Sequence, residues 1–255
     1  MSNLENTQIT SLERGLDILG AFSRERPSLT AAEIAEVTGL SKSTLYRFLH
    51  VLARRGYISK RGTVYMPGLK LVELGDIAGA NLEVKAIAKP VMVEIVNRTG
   101  MTSNLSAYYD GDIVYIENIV PRHVRVVSMH GGRAPAYCTS TGKMLLTGQP
   151  AEELERIIQR GLRRITANTI TDPEKLREEI EAIRRRGYSI DDQELEEGLR
   201  SVAGPIYNAQ GVMVAAMSLA GPVTRLRDDS IPEVSQIITE ACMEISRELG
   251  YNSSK

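Results

Sequence analysis

Between Ser41 and Met66 the chain reads SKSTLYRFLHVLARRGYISKRGTVYM, a run of hydroxyls, tyrosines and basic side chains suited to a polyanion. From Ser41 to Lys70 it carries Lys42, Arg47, Arg54, Arg55, Lys60, Arg61 and Lys70, and no Asp or Glu. That stretch alone holds a charge of +7 while the whole chain sums to −1, which leaves −8 for everything else. Guanidinium and ammonium groups neutralise phosphates, and guanidinium and hydroxyl groups also match the edges of bases. A positive patch on a mildly acidic chain is a local device.

Such side chains need a scaffold, and the preceding residues supply one. Ser11 is placed to cap a helix whose Leu12, Leu16, Leu19 and Phe22 recur at helical spacing, ended by Pro27 and Ser28. Thr30-Ala31-Ala32-Glu33 matches a capping box, in which the hydroxyl and carboxylate satisfy free backbone amides reciprocally. Gly39 gives that helix a sharp stop, and Ser41 caps the next. In this third helix Leu45, Phe48, Leu49 and Leu52 form an apolar stripe, with Ser43, Arg47, His50 and Arg54 opposite and Lys42, Thr44 and Tyr46 flanking the first turn. After Arg55-Gly56, Tyr57–Ser59 and Val64–Met66 can pair as a hairpin about Lys60-Arg61-Gly62-Thr63. A helix-turn-helix followed by a basic-tipped hairpin is a winged helix.

Basic runs are commonly solvated faces, and helix-turn-helix units also serve as protein-interaction modules. Double-stranded DNA is favoured because four signals coincide: the capped helix pair, the acid-free face, the hydroxyl-rich first turn and the basic wing. Ser43, Thr44, Tyr46 and Arg47 are expected nearest the base edges. Lys42, Arg54, Lys60 and Arg61 are expected on phosphates, and two-fold symmetry would call for an inverted-repeat operator.

Bulk properties narrow the field. The 255 residues suffice for one large domain or two ordinary ones, and 42% hydrophobic with 25% charged residues is ordinary globular composition. No apolar run approaches a membrane span, and MSNLENTQIT has neither a basic nor an apolar region of an export signal. Cys138 and Cys242 have no C-x-x-C context, and His50, His123 and His130 are scattered. A disulfide framework or metal centre is not expected, no motif calls for a cofactor, and a reducing cytoplasm is the default.

The segments SLERGLDIL, AAEIAEVTGLSKSTLYRFLHVLARRGYI and LKLVELG, followed by GGRAPAYCTSTGKMLL, RRRGYSIDDQELEEGLRSVAGPIYN and GVMVAAMSLAGP, resemble the IclR family of bacterial transcriptional regulators, in order from Ser11 to Tyr251. The resemblance implies an α+β protein with a winged helix-turn-helix at 1–67, a linker helix at 68–80 and an effector-binding domain at 81–255 with a GAF/PAS-like antiparallel sheet. It also implies homodimers, often paired into tetramers, that answer a small-molecule effector by repression or activation. From the residues alone, Leu69, Leu71, Val72, Leu74 and Ile77 wrap around most of a helix, which suits burial against a partner subunit. An ordinary intradomain helix fits that pattern nearly as well.

Farther along, Pro90 is expected to interrupt a helix that resumes over 91–98 and stops at Gly100. Thr102–Tyr108 and Ile113–Ile119 read as strands about Asp110-Gly111-Asp112, and 124–129 as a third. Helices are expected over 151–160, over 174–186 with Asp172 as cap and Gly187 as stop, and over 232–249 with Val234, Ile237, Ile238, Ala241, Ile245 and Leu249 inward. Val202–Tyr207 and Val212–Leu219 flank a turn at 208–211, which completes an α+β pattern.

Thr139-Ser140-Thr141-Gly142-Lys143 suggests a phosphate loop, but a Walker A loop needs glycine where Tyr137 stands. What remains is a hydroxyl-rich turn before a helix at 143–146, whose amides could hold a carboxylate or simply be capped. Asp191–Glu197 lacks the ordered spacing of a calcium loop and reads mostly as a solvated acidic connection. The family resemblance implies that Ser140, Thr141, Asp191, Ser201 and Ser218 line the effector pocket. Ser201 stands where the family often has Cys, and Ala220 where it often has a second Ser. A small organic acid is expected, less polar than a small keto acid or differently oriented. Catalysis is disfavoured, since a nucleophile would have only Lys143 nearby and no G-x-S-x-G elbow or catalytic triad is present.

Overall fold

In the computed structural model, which describes residues 10–23, 25–80, 82–121 and 132–252, the chain divides into two compact units, Met1–Asn81 and Leu82–Lys255. Among the described residues no helix is long and apolar enough to cross a membrane.

The first unit starts with α1 (Thr10–Gly20), which ends well before Pro27. Ser11 lies inside its first turn, not at a cap. Its buried side chain is Ile18, with Leu19 and Phe22 partly buried, whereas Leu12 and Leu16 are 59% and 57% exposed. The expected stripe is therefore split, and its N-terminal half faces outward. A two-residue strand, β1 (Leu29–Thr30), precedes α2 (Ala31–Thr38). Thr30 and Glu33 form the capping box, and Gly39 closes the helix with φ +66°. Next come α3 (Lys42–Arg54), β2 (Ile58–Arg61), β3 (Val64–Pro67) and α4 (Leu69–Ala80).

The strands form an antiparallel sheet in the order β1-β3-β2. Arg61 pairs with Val64, so the hairpin loop is only Gly62-Thr63 and the basic pair belongs to β2. Ile18, Ile34, Leu45, Leu49 and Ile58 pack together beneath. At the base of the wing, Gly68 donates to the Tyr57 carbonyl at 2.8 Å and Lys70 to the Gly56 carbonyl at 3.1 Å. A Cβ on Gly68 would lie 2.1 Å from the Gly56 oxygen. Glycine is required there because two backbones cross.

The second unit opens with α5 (Glu83–Thr99), which continues through Pro90 without a break and ends at Gly100. The remaining elements are β4 (Thr102–Tyr109), β5 (Asp112–Ile119), β6 (Arg133–Pro135), α6 (Ser140–Leu146), α7 (Ala151–Arg160), α8 (Pro173–Arg186), β7 (Ser189–Asp192), β8 (Leu199–Tyr207), β9 (Met213–Pro222) and α9 (Ile231–Glu248). They build an antiparallel sheet in the order β6-β5-β4-β9-β8-β7. The expected strand at 124–129 lies outside the described residues, as do His123 and His130. Short β6 and β7 had no alternation long enough to announce them.

Alternation along the strands divides two cores. Val202, Met217 and Leu219 pack with α5 and α9, while their neighbours Ala203 and Ala216 pack with α6 and α8. Asp110 (φ +50°) and Gly111 (φ +89°) make the two-residue turn joining β4 to β5. Asp172 caps α8 by accepting from the amides of Glu174 and Lys175. On α9, Val234, Ile238, Ala241 and Ile245 are buried, with Ile237 and Leu249 partly buried against the same core.

Candidate functional site

On α3 the apolar stripe and the polar face separate as the spacing requires. Leu45 and Leu49 are buried and Phe48 and Leu52 pack beside them. Lys42, Ser43, Tyr46, Arg47, His50 and Arg54 are all exposed. Thr44 is half-buried, and its Oγ1 accepts from Ser41 Oγ at 3.0 Å. Ser41 occupies the N-cap position but makes no capping bond, contrary to expectation, so the first amides of α3 lack the usual side-chain acceptor. On the wing, Lys60 and Arg61 alternate across β2, and the Lys60 ammonium sits 5.4 Å from the centre of the Tyr65 ring. Arg61 is exposed beside the hairpin loop.

In the second unit the expected ligand residues converge on the sheet face beneath α6. The Thr139 hydroxyl caps α6 by accepting from the Gly142 amide at 3.1 Å. That helix starts at Ser140, three residues earlier than expected, and Thr139 takes up one of the amides proposed to hold a carboxylate. Gly142 allows the tight packing, since a Cβ would lie 2.3 Å from the Ala136 oxygen. Ser140 Oγ and Ser201 Oγ are 2.7 Å apart, and Thr141 Oγ1 donates to Ser106 Oγ at 3.2 Å. Ser189 Oγ donates to the Ser140 carbonyl. Ser218 lies on the same face, paired in register with Ala203 and Asn104.

Asp191 pairs with Ser201 across β7 and β8, is 5% exposed, and accepts the Glu194 amide at 2.8 Å. The acidic segment is thus not wholly solvated: Asp191 and Glu194 are buried, Asp192 pairs with Arg200, and Glu196 and Glu197 are exposed. Beneath α6, Lys143 is 1% exposed and ion-paired with Glu194, with Glu179 3.6 Å away. The Thr169 hydroxyl donates to the Glu194 carbonyl at 2.7 Å, and the Glu194 Oε2 atom is buried with no hydrogen bond. Among the described residues no cluster of His, Cys, Asp or Glu forms a metal site.

Burial pushes the Asp191 carboxyl from 3.8 up to about 7, opposed by the Glu194 amide. Burial likewise pushes the Cys138 thiol up to about 12, aided by Asp191, so that thiol is unreactive. The Asp191 shift has a measurable sign. Between about pH 4 and 7 the folded chain retains a proton that the unfolded chain has released, so stability falls as pH rises through that window. Asp191→Asn removes this loss. In urea titrations it is expected to match the natural chain near pH 4 and to exceed it by up to about 4 kcal/mol at pH 8. Equal stability of the two at pH 8 would show that Asp191 ionises without penalty.

Comparison with known proteins bears on both units. Residues 11–62 match the IclR helix-turn-helix domain model, and residues 78–247 match the model of the bacterial transcriptional regulator IclR C-terminal domain. The chain belongs to the IclR family. It is 32% identical over 254 residues to the HTH-type transcriptional regulator KipR of Bacillus subtilis (strain 168), covering 98% of this chain and 100% of that protein. The crystal structure of Thermotoga maritima IclR superposes with a TM-score of 0.71 at 33% identity, covering 95% of this chain and 99% of that one. An IclR homologue from Microbacterium hydrocarbonoxydans, crystallised with 4-hydroxybenzoate, gives 0.81 at 26% identity, covering 94% and 98%. As an IclR-family member the chain is a transcriptional regulator with a DNA-binding helix-turn-helix unit and an effector unit, not an enzyme.

Four polar groups on the IclR effector unit escaped sequence reasoning: Asn104, Asn118, Ser106 and the Lys143–Glu194 pair. The two asparagines had a signal, since Asn is depleted in strands and both sit inside β-rich runs. The ion pair had none, because its partners lie 51 residues apart.

Proposed function

We propose that this IclR regulator binds an inverted-repeat operator as a homodimer, able to pair into tetramers, and that a small organic acid in the second unit controls that binding in the cytoplasm. The carrying observation is the exposed, acid-free face of α3 beside the basic wing. Ser43, Thr44, Tyr46 and Arg47 would lie nearest the bases, with Lys42, Arg54, Lys60 and Arg61 on phosphates. Leu12 and Leu16 on α1, and Leu69 and Val72 on α4, support the dimer: they form two exposed apolar faces, and Leu69 is 85% exposed. Ser140, Thr141, Asp191, Ser201 and Ser218 would surround the effector. The 4-hydroxybenzoate bound to the Microbacterium homologue supports a carboxylic acid. The acid acts only by binding one arrangement of the two reading heads more tightly than another.

Selection of binding sites from random duplexes by the full chain tests this reading, and a consensus without two-fold symmetry would sink it. Arg61→Ala is expected to weaken binding to all sequences alike and to reduce the slope of log affinity against log salt by about one. A change in preference at a single base pair would instead make the wing a base reader.

A further inference from the structure

Asn118 Nδ2 donates to Asn104 Oδ1 at 2.6 Å across β5 and β4. Asn104 in turn stands opposite Ser218 on β9, and Ser218 stands opposite Ala203 on β8. Directly paired residues share a face, and Ala203 packs with Met144, Leu145 and Leu146 of α6. Asn118, Asn104 and Ser218 therefore form one polar rung on the α6 side of the sheet, where Ser140 and Thr141 also sit.

That rung makes one internal side-chain hydrogen bond among the described residues, Asn118 to Asn104. Among the described residues the Asn118 carbonyl oxygen, its second N–H, both Asn104 N–H groups and the Ser218 hydroxyl make none. By contrast the hydroxyls of Ser140, Thr141 and Ser201 are engaged with one another or with Ser106. Both asparagines are half-buried, and β5, which carries Asn118, is otherwise rich in β-branched and aromatic residues. A carboxamide offers donors and an acceptor side by side. Sugar-type hydroxyls, which also donate and accept, complement it, whereas a carboxylate only accepts and an alkyl chain does neither.

We infer that the acid sensed by this unit is polyhydroxylated, and that Asn104 and Asn118 read its hydroxyl groups. This rests on the effector reading above and specifies its chemistry. It favours a differently oriented polar ligand over a less polar one. Ala220, opposite Ser201, offers no hydroxyl on its part of the face, while the amide rung supplies hydrogen-bonding groups across β5 and β4.

Isothermal titration of the full chain with D-gluconate, D-galactonate, D-glucuronate, hexanoate and 4-hydroxybenzoate tests it. At least one polyhydroxy acid is expected to bind at least tenfold tighter than hexanoate, because sites built for hydroxyls reject analogues lacking them. Asn118→Leu is expected to shrink that ratio to near one while leaving hexanoate affinity within about threefold. Hexanoate or 4-hydroxybenzoate binding as tightly as the best polyhydroxy acid overturns the inference but spares the effector reading. An unchanged ratio in Asn118→Leu overturns it too. If none of the five acids binds, the organic-acid reading itself fails. Should Asn118→Leu not fold by circular dichroism, Asn104→Ala and the ratio in the natural chain decide.

Discussion

Arg47→Ala is expected to weaken binding to the selected operator about tenfold or more and to flatten its preference at one position of each half-site. A guanidinium held against a base edge contributes roughly 1–3 kcal/mol of discrimination, which converts to about 5- to 150-fold. Arg47 is exposed on α3, opposite Leu45 and Leu49. Its removal leaves the packed face untouched, so folding is expected to be unchanged. Sequence selection by the variant, with affinity on operator and scrambled duplexes, separates the two kinds of contact. A loss shared equally by both duplexes, with the consensus intact, would make Arg47 a phosphate contact and end its role as a reader.

The second large effect concerns folding of the effector unit. Glu194→Ala leaves the Lys143 ammonium at 1% exposure without its direct partner, and Glu179, 3.6 Å away, is already bound to Arg186 at 2.8 Å. Removing one partner of a buried pair costs about 3–5 kcal/mol, because the remaining charge is neither solvated nor neutralised. For a unit of this size the apparent melting temperature should drop by roughly 10 °C. The double variant Lys143→Met, Glu194→Leu is expected to recover most of the loss, since a buried pair replaced by apolar groups of similar volume is often neutral. Thermal melts of the single and double variants measure this. If Glu194→Ala melts within a degree or two of the natural chain, Lys143 is satisfied without Glu194.

How legible these features were depended on how local their causes are. The capping box at Thr30 and Glu33, the Gly39 and Gly187 stops and the turn expected at Asp110-Gly111-Asp112 are written within four or five residues, and all stand where the pattern put them except Asp112, which belongs to β5. The exposed side of α3 followed from the positions of Leu45 and Leu49 alone. The outward Leu12 and Leu16 did not, because apolar periodicity gives a face without saying what covers it. Pro90 misled for a related reason: a missing amide is tolerated when buried Ala88, Val91 and Met92 hold the helix on its core. The candidate site beneath α6 is assembled from β4, β5, β7, β8, β9 and α6. Its hydroxyl pairs and the amide rung join residues far apart in the chain, and only strand register brings them together.

The backbone crossing of Gly56 and Gly68 gives the DNA-binding unit a ruler. Because Tyr57 and Gly56 accept from Gly68 and Lys70, the end of α3, the root of the wing and the start of α4 are tied within a few residues. In a two-fold dimer joined through α4, neither reading helix could slide along DNA independently of that joint. The number of base pairs between half-sites would then be set by how two α4 helices meet, and any signal that changes this meeting would alter which operators the protein can measure.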